Sequence, residues 1–318
     1  MNGVLVIDKP VGLTSHDVVA RVRRALKIKR VGHTGTLDPF ATGVMVILVG
    51  QATRLAQFLD KDEKDYEAVV RFGFETDTGD VTGLRTADCG LRIEEIQELL
   101  AKVDWDEVFS KFRGEIEQVP PMYSAKKVAG KKLYELARKG IEVERKSVKI
   151  TIQKLEILDA EQIRNPQSSP PGLRRGGRVS RTGWSIRLRV ACSAGTYIRT
   201  LAEDIGRAIG VGAHLAELRR TRAGKFDLSQ SLTLEELDKT ENAESVLVSM
   251  SDAIDHLPKL VLNADRVGKT KNGLSTRYEA AQLADDQAIQ MLDEDGNLIA
   301  VGFYNDAEKI VQPKVVLS

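Results

Sequence analysis

Cysteine is nearly missing: 318 residues hold two, Cys89 and Cys192, and neither has a C-x-x-C partner. That pattern indicates neither a zinc site nor a disulfide framework, and it suits a reducing cytoplasm. Long apolar runs are missing too. The first, Gly3 to Ile7, stops at Asp8 and Lys9, too short for a signal-peptide core, and no later stretch could span a bilayer. Excess charge is also missing, since the formal net charge of +1 by itself points to no partner. The glycine-rich stretch "GHTGTLDPFATG", residues 32 to 43, has no Gly-Lys-Ser/Thr after it and no G-x-G-x-x-G within it. It is therefore neither a P-loop nor a dinucleotide cradle.

With 42% hydrophobic and 29% charged residues, the chain reads as globular and long enough for two domains. Its charge divides unevenly. Residues 1–248 carry 40 basic and 35 acidic side chains, whereas residues 249–318 carry 7 and 11. A slightly basic main domain followed by an acidic module is the natural division.

"GVLVIDKP" predicts a strand ended by Pro10. Thr14 and Ser15 can cap a helix whose apolar positions Val18, Val19, Val22 and Leu26 recur at helical spacing. "VMVILVG" predicts a central strand, "YEAVVRFGF" another, and Ile93 to Val103 an amphipathic helix. "VKITIQKLEIL" and "WSIRLRVAC" alternate at period two, as half-buried strands do. Between them, residues 161–182 are rich in Pro, Gly, Ser and Arg without apolar periodicity, which predicts a mobile surface insertion. Strands and helices without strict alternation favour an α+β domain. After residue 248, "PKLVLN", "QAIQML", "LIAVGFY" and "KIVQPKVVL", with "EDGN" as a hairpin-type turn, predict a small β-rich module.

The glycine-rich loop holds one carboxylate, Asp38, in front of Pro39. On composition alone a D-P turn is the stronger reading, with Asp38 bonding the backbone and Pro39 setting φ. Yet threonine hydroxyls and unobstructed backbone N–H groups also suit contacts to phosphate or sugar oxygens.

"GHTGTLDPFATGV" and "IDKPVGLTSHDVV" resemble motifs of the TruB family of tRNA pseudouridine synthases. The resemblance continues through "KDYEAVVRFGFETDTGD", "FRGEIEQVPPMYSAKKVAGKKLYELARKG", "CSAGTYIRTLAEDIG" and "HLAELRRTRAGKF". These stretches keep the family order and cover most of residues 1–228. The resemblance implies a pseudouridine synthase fold, with a mixed, largely antiparallel central sheet, flanking helices and a C-terminal PUA-like domain. It implies isomerisation of uridine 55 in the tRNA T loop, with the base flipped out, and some assistance to tRNA folding. Neither cofactor nor metal is implied, because the reaction oxidises nothing and adds nothing.

The same resemblance assigns residues. Asp38 takes the place of the catalytic nucleophile; an aspartate is ionised at neutral pH unless burial intervenes. Arg199 lies at the edge of the apolar face of the helix after Gly195. Composition reads it as a solvent-facing arginine, and the resemblance as the partner of Asp38, able to grip a carboxylate with two donors. Tyr66 and Tyr197, otherwise ordinary half-buried aromatics, become base-facing residues, with Tyr66 stacking and offering its hydroxyl. Leu218 walls the pocket, His33 contacts the loop nucleotides, and Lys9 supports the pocket. "FETDTGDVTG" has the wrong spacing for a calcium loop and reads as a structural turn.

Residues 121–149 carry nine Lys/Arg against three Glu, interleaved with Tyr123 and Tyr134. A charge run is ordinarily a solvated face. Its coincidence with the family's RNA-embracing insertion favours phosphate contact by Lys126, Lys127, Lys131 and Lys132. A short helix face of Leu133, Leu136 and Ala137 should end at Gly140. The expected partner is the tRNA T stem-loop, bound by a monomer without a membrane, protein or guide-RNA partner. The start at Met1, directly before "NGVLVIDKP", disfavours a guide-RNA-dependent synthase. A different class, an RNA-binding or tRNA-folding protein whose chemistry is secondary, stays open at this point.

Overall fold

The computed structural model describes residues 1–60, 62–124, 126–128, 130–163, 183–279 and 283–317, without the side chains of residues 127, 132, 160–163 and 183. The expected surface insertion therefore lies largely outside the described residues. Its first residues, 161 to 163, belong to a strand instead.

Among the described residues a nine-stranded sheet organises the first two thirds of the chain. Its main strands are β1 (Gly3–Lys9), β2 (Val31–His33), β3 (Thr42–Val49), β4 (Lys64–Phe72), β5 (Gly114–Gln118), β6 (Val148–Ile163), β7 (Gly183–Cys192) and β8 (Ala213–Ala223). They run in the order β1-β3-β8-β4-β7-β6-β5, with β2 beside β3. Every pairing is antiparallel except β8 with β3, so the sheet is mixed and mostly antiparallel, as expected.

Two helices cover one face. Helix α1 (Ser15–Leu26) starts at Thr14, whose hydroxyl accepts from the Asp17 N–H while the Asp17 carboxylate accepts from the Thr14 N–H. This reciprocal cap satisfies two N–H groups that the first turn leaves open. Val18, Val19, Val22 and Leu26 pack against Leu5, Ile7, Met45 and Ile47, each burial contributing about 2 kcal/mol. Helix α2 (Ile198–Ile209) lays Ile198, Leu201, Ala202 and Ile205 on Tyr66, Ala68, Val70 and Leu215. Directly paired residues point to the same side of a sheet. The pairs Tyr66 with Arg220 and Arg220 with Gly43 therefore put α1 and α2 over one face.

The other face carries the C-terminal module, a five-stranded sheet of Lys259–Val261, Ala288–Leu292, Leu298–Asn305, Ile310–Val316 and Thr276–Arg277. Val4, Val6, Val44, Val46 and Leu48 share a core with Ala253, Ile254, Leu292, Leu298 and Val301. Period-two alternation thus sends successive β3 residues into two different cores.

Two local expectations differ. The strand expected over "YEAVVRFGF" breaks at Gly73, which has φ 108°, into β4 and a short strand, Phe74–Thr76. The helix expected to reach Val103 ends at Leu100, and a second short helix, Trp105–Ser110, follows.

Candidate active site

The loop between β2 and β3 is held by its main chain. Ser15 Oγ donates to the Leu37 carbonyl at 3.0 Å, and the Leu37 N–H donates back to it at 2.9 Å. Ser15 thus pins the loop, and Thr14 alone caps the helix. On the other side of Asp38, the buried Lys9 ammonium donates to the carbonyls of Ala41 at 2.6 Å and Pro39 at 3.4 Å. The Gly12 N–H also donates to Pro39, at 2.7 Å. Beneath the loop, the buried Arg220 donates to the carbonyls of Val44 at 2.6 Å and Gly35 at 3.2 Å. Gly43 has φ 102°, and a Cβ there would lie 2.1 Å from the Arg220 carbonyl oxygen. Only glycine fits this crossing of β3 and β8.

Asp38 lies between these ties with its side chain about one third exposed, and its Oδ2 is 3.0 Å from Arg199 Nε. Arg199 is 6% exposed. The structure corrects the expected two-donor grip. Nε makes an ion pair with Asp38, while Nη1 donates to the Thr78 carbonyl at 2.9 Å and Nη2 donates to the Tyr123 carbonyl at 2.7 Å. Nη1 also stands 3.6 Å from Asp80 Oδ2. Arg199 therefore joins the carboxylate loop, the turn after the short strand Phe74–Thr76 and the root of the basic stretch. A buried guanidinium needs this many acceptors.

The electrostatics follow from burial. Desolvation pushes the Asp38 carboxyl above its ordinary value and Asp80 adds to that, while Arg199 and Lys9 pull it down. Burial lowers the Lys9 ammonium to about 8. Burial also pushes the Tyr66 phenol upward, with the Arg220 guanidinium against its hydroxyl. Tyr66 is thus a phenol at neutral pH, able to donate a proton rather than to take one.

Asp38 is the common member of the group: Arg199 lies 3.0 Å from it, and Lys9 and Tyr66 both interact with the charge of the same carboxylate. Leu218 is buried one strand away, paired with Ala68. Tyr197 is half-buried at the start of α2. His33 ends β2 with its ring edge-on to His16 at 6.1 Å, and burial lowers its pKa, which favours a neutral imidazole. In the basic stretch, the helix Leu133–Ala137 ends as expected, with the Gly140 N–H donating to Ala137. Lys131 is exposed and Lys126 half-buried. The side chains of Lys127 and Lys132 lie outside the described residues.

Sequence reasoning missed Asp80, Ser15, Arg220 and Gln118. Arg220 had a readable signal, since it shares the period-two face of Leu218 in β8. Asp80 had none beyond its turn, where its carboxylate accepts from Thr78 Oγ1 and the Thr82 N–H, each at 2.9 Å.

Comparison with known proteins gives a consistent result. The profile of the TruB family pseudouridylate synthase N-terminal domain matches residues 23–198. That of the tRNA pseudouridylate synthase B C-terminal domain matches residues 199–267. The tRNA pseudouridine synthase B of Geobacillus thermodenitrificans is 44% identical over 283 residues, covering 88% of this chain and 87% of that protein. The tRNA pseudouridine synthase B of Bacillus subtilis is 38% identical over 323 residues, covering 100% of this chain and 98% of that protein. Among solved structures, an H/ACA RNP bound to a substrate RNA containing 2'-deoxyuridine matches with a TM-score of 0.66 at 25% identity. The match covers 99% of this chain and 85% of that one.

Proposed function

This chain belongs to the TruB family of pseudouridylate synthases, and on that basis we propose that it isomerises uridine 55 in the T loop of tRNA to pseudouridine. The observation that carries the reading is Asp38, half-buried and still accessible, against a buried arginine that other contacts hold in place. Such a carboxylate can stay charged in a dry pocket and meet a ribose.

The reaction conserves every atom. The N1–C1′ bond breaks, the base turns, C5 bonds to C1′, and the proton lost from C5 is balanced by one gained at N1. Asp38 either attacks the sugar or removes a proton from it. Arg199 holds the carboxylate and offsets its desolvation. Tyr66 stacks on the flipped base and offers its phenol, with Tyr197 and Leu218 forming walls. His33 contacts the nucleotides that the target leaves, and Lys9 positions the loop. Lys126, Lys127, Lys131 and Lys132 meet RNA phosphates. The chain works as a monomer in the cytoplasm, without cofactor, metal, guide RNA or obligatory protein partner, and assists tRNA folding. Its catalytic domain spans residues 1–248, and residues 249–318 form a PUA-like domain.

Asp38→Asn tests this reading, because it keeps the size and turn-forming ability but removes the charge. Product formation should fall to background, while tRNA affinity changes by less than about 1.4 kcal/mol, a factor of ten. A well-folded variant making pseudouridine at the normal rate would return Asp38 to the role of a turn residue.

A further inference from the structure

We propose that Gln118 is a positioning residue that fixes the start of α2, and with it Arg199, to the root of the basic insertion. The catalytic part of this inference rests on the reading above.

The insertion leaves β5 after Gln118 and returns at the first residue of β6, Val148, which is paired directly with Gln118. The whole insertion therefore hangs from one narrow neck. At that neck Gln118 turns inward and is 2% exposed. Its Nε2 donates to the Tyr197 carbonyl at 3.1 Å, and its Oε1 accepts from the Tyr197 N–H at 2.8 Å.

Helix α2 needs this contact. Its N-cap residue, Tyr197, has φ −100° and ψ 105° and no side-chain capping bond of its own. Exposed N–H groups at a helix start are usually met by a local serine, threonine, aspartate or asparagine. Here a side chain from a distant strand meets the first one. A flat amide that both donates to and accepts from one residue fixes its backbone orientation. Asparagine falls one methylene short, and apolar residues offer neither bond.

Arg199 follows two residues later. The same root makes a second contact with it, because the Tyr123 carbonyl accepts from Arg199 Nη2 at 2.7 Å. Main chain and guanidinium are thus both referred to the neck, while Arg199 Nε reaches 3.0 Å from Asp38. RNA held by the insertion loads the same neck that aims the arginine at the carboxylate.

Gln118→Met keeps the volume and removes both bonds. In the free protein, amide hydrogen exchange at residues 197–201 should quicken relative to wild type. With tRNA, kcat should fall by about tenfold with KM within about threefold, as expected for two lost hydrogen bonds that act on alignment rather than binding. The acid limb of kcat should also move upward, because a less well aligned Arg199 offsets less of the desolvation of Asp38. If Gln118→Met fails to fold, Gln118→Asn, whose amide falls short of Tyr197, gives the same three readings. Unchanged exchange would overturn the proposal. So would an unchanged kcat with a raised KM, which would make Gln118 a support for the insertion alone. A wild-type protein that makes no pseudouridine would refute the isomerase reading, and hydrogen exchange would then decide for or against Gln118 by itself.

Discussion

At the scale of single residues, Asp38 and Arg199 are unequal partners. Asp38 is partly open and touches one guanidinium nitrogen, whereas Arg199 is buried and answers to three segments of chain. Removing the arginine should therefore do more than unpair a carboxylate. In Arg199→Ala the desolvated Asp38 and the neighbouring Asp80 face each other without their cation, and the Asp38 pKa rises further. In the proposed role Asp38 must be ionised to act, so the rate should be lost as pH falls through its pKa. The acid limb of a pH–rate profile should accordingly move up in this variant. Arg199→Lys keeps the charge but has one nitrogen for four acceptors, and should recover only part of the rate. Wild-type profiles in both variants would exclude the ion pair. The sequence alone could not rank these contacts, because Arg199 sits at the border of an apolar helix face, where exposure is decided by whatever packs above it.

At the scale of elements, the site depends on close approach between strands. Gly43→Ala would place a methyl against the Arg220 backbone at a positive φ, and neither strand can yield. The variant should lose about 2 kcal/mol or more in a denaturant titration. The basic insertion gives a different kind of test. Replacing Lys126, Lys127, Lys131 and Lys132 by glutamine should weaken tRNA binding and flatten its dependence on salt, since fewer counterions are released. An unchanged salt slope would mean that these lysines form only a solvated face. Helix α1, β3 and the paired strands β6 and β7 were legible because their apolar periods are long and regular. The break at Gly73 and the helix Trp105–Ser110 were not, because short elements are set by tertiary contacts that leave little periodic trace. Asp80 was hidden for a related reason. Its role comes from the approach of α2, which nothing in "FETDTGDVTG" encodes.

At the scale of the whole molecule, the two sheets share a core through β1 and β3. The charge asymmetry marked a division in the chain, but the packing gives the acidic module a structural duty as well. Val301 is fully buried in that shared core. Val301→Asp would place an unpaired carboxyl there and should destabilise the protein by about 3 kcal/mol or more, lowering its unfolding temperature. An unchanged transition would mean that the module is not seated on the sheet. The seam was invisible in the sequence because the continuous apolar run of β3 shows that both sides of the strand are apolar, not what covers each side.

The ties that hold the Asp38 loop have one more consequence. Ser15, Lys9, Gly12 and Arg220 grasp the carbonyls of Leu37, Ala41, Pro39 and Gly35, and a carbonyl is the same whatever residue carries it. The side chains of Thr34 and the exposed Thr36 take no part in that grasp. Shape and side-chain identity are thereby separated, because the loop's shape is written in its backbone. A library randomised at residues 34 and 36 should therefore leave the carboxylate where it stands, with the unfolding temperature of its members close to that of the parent.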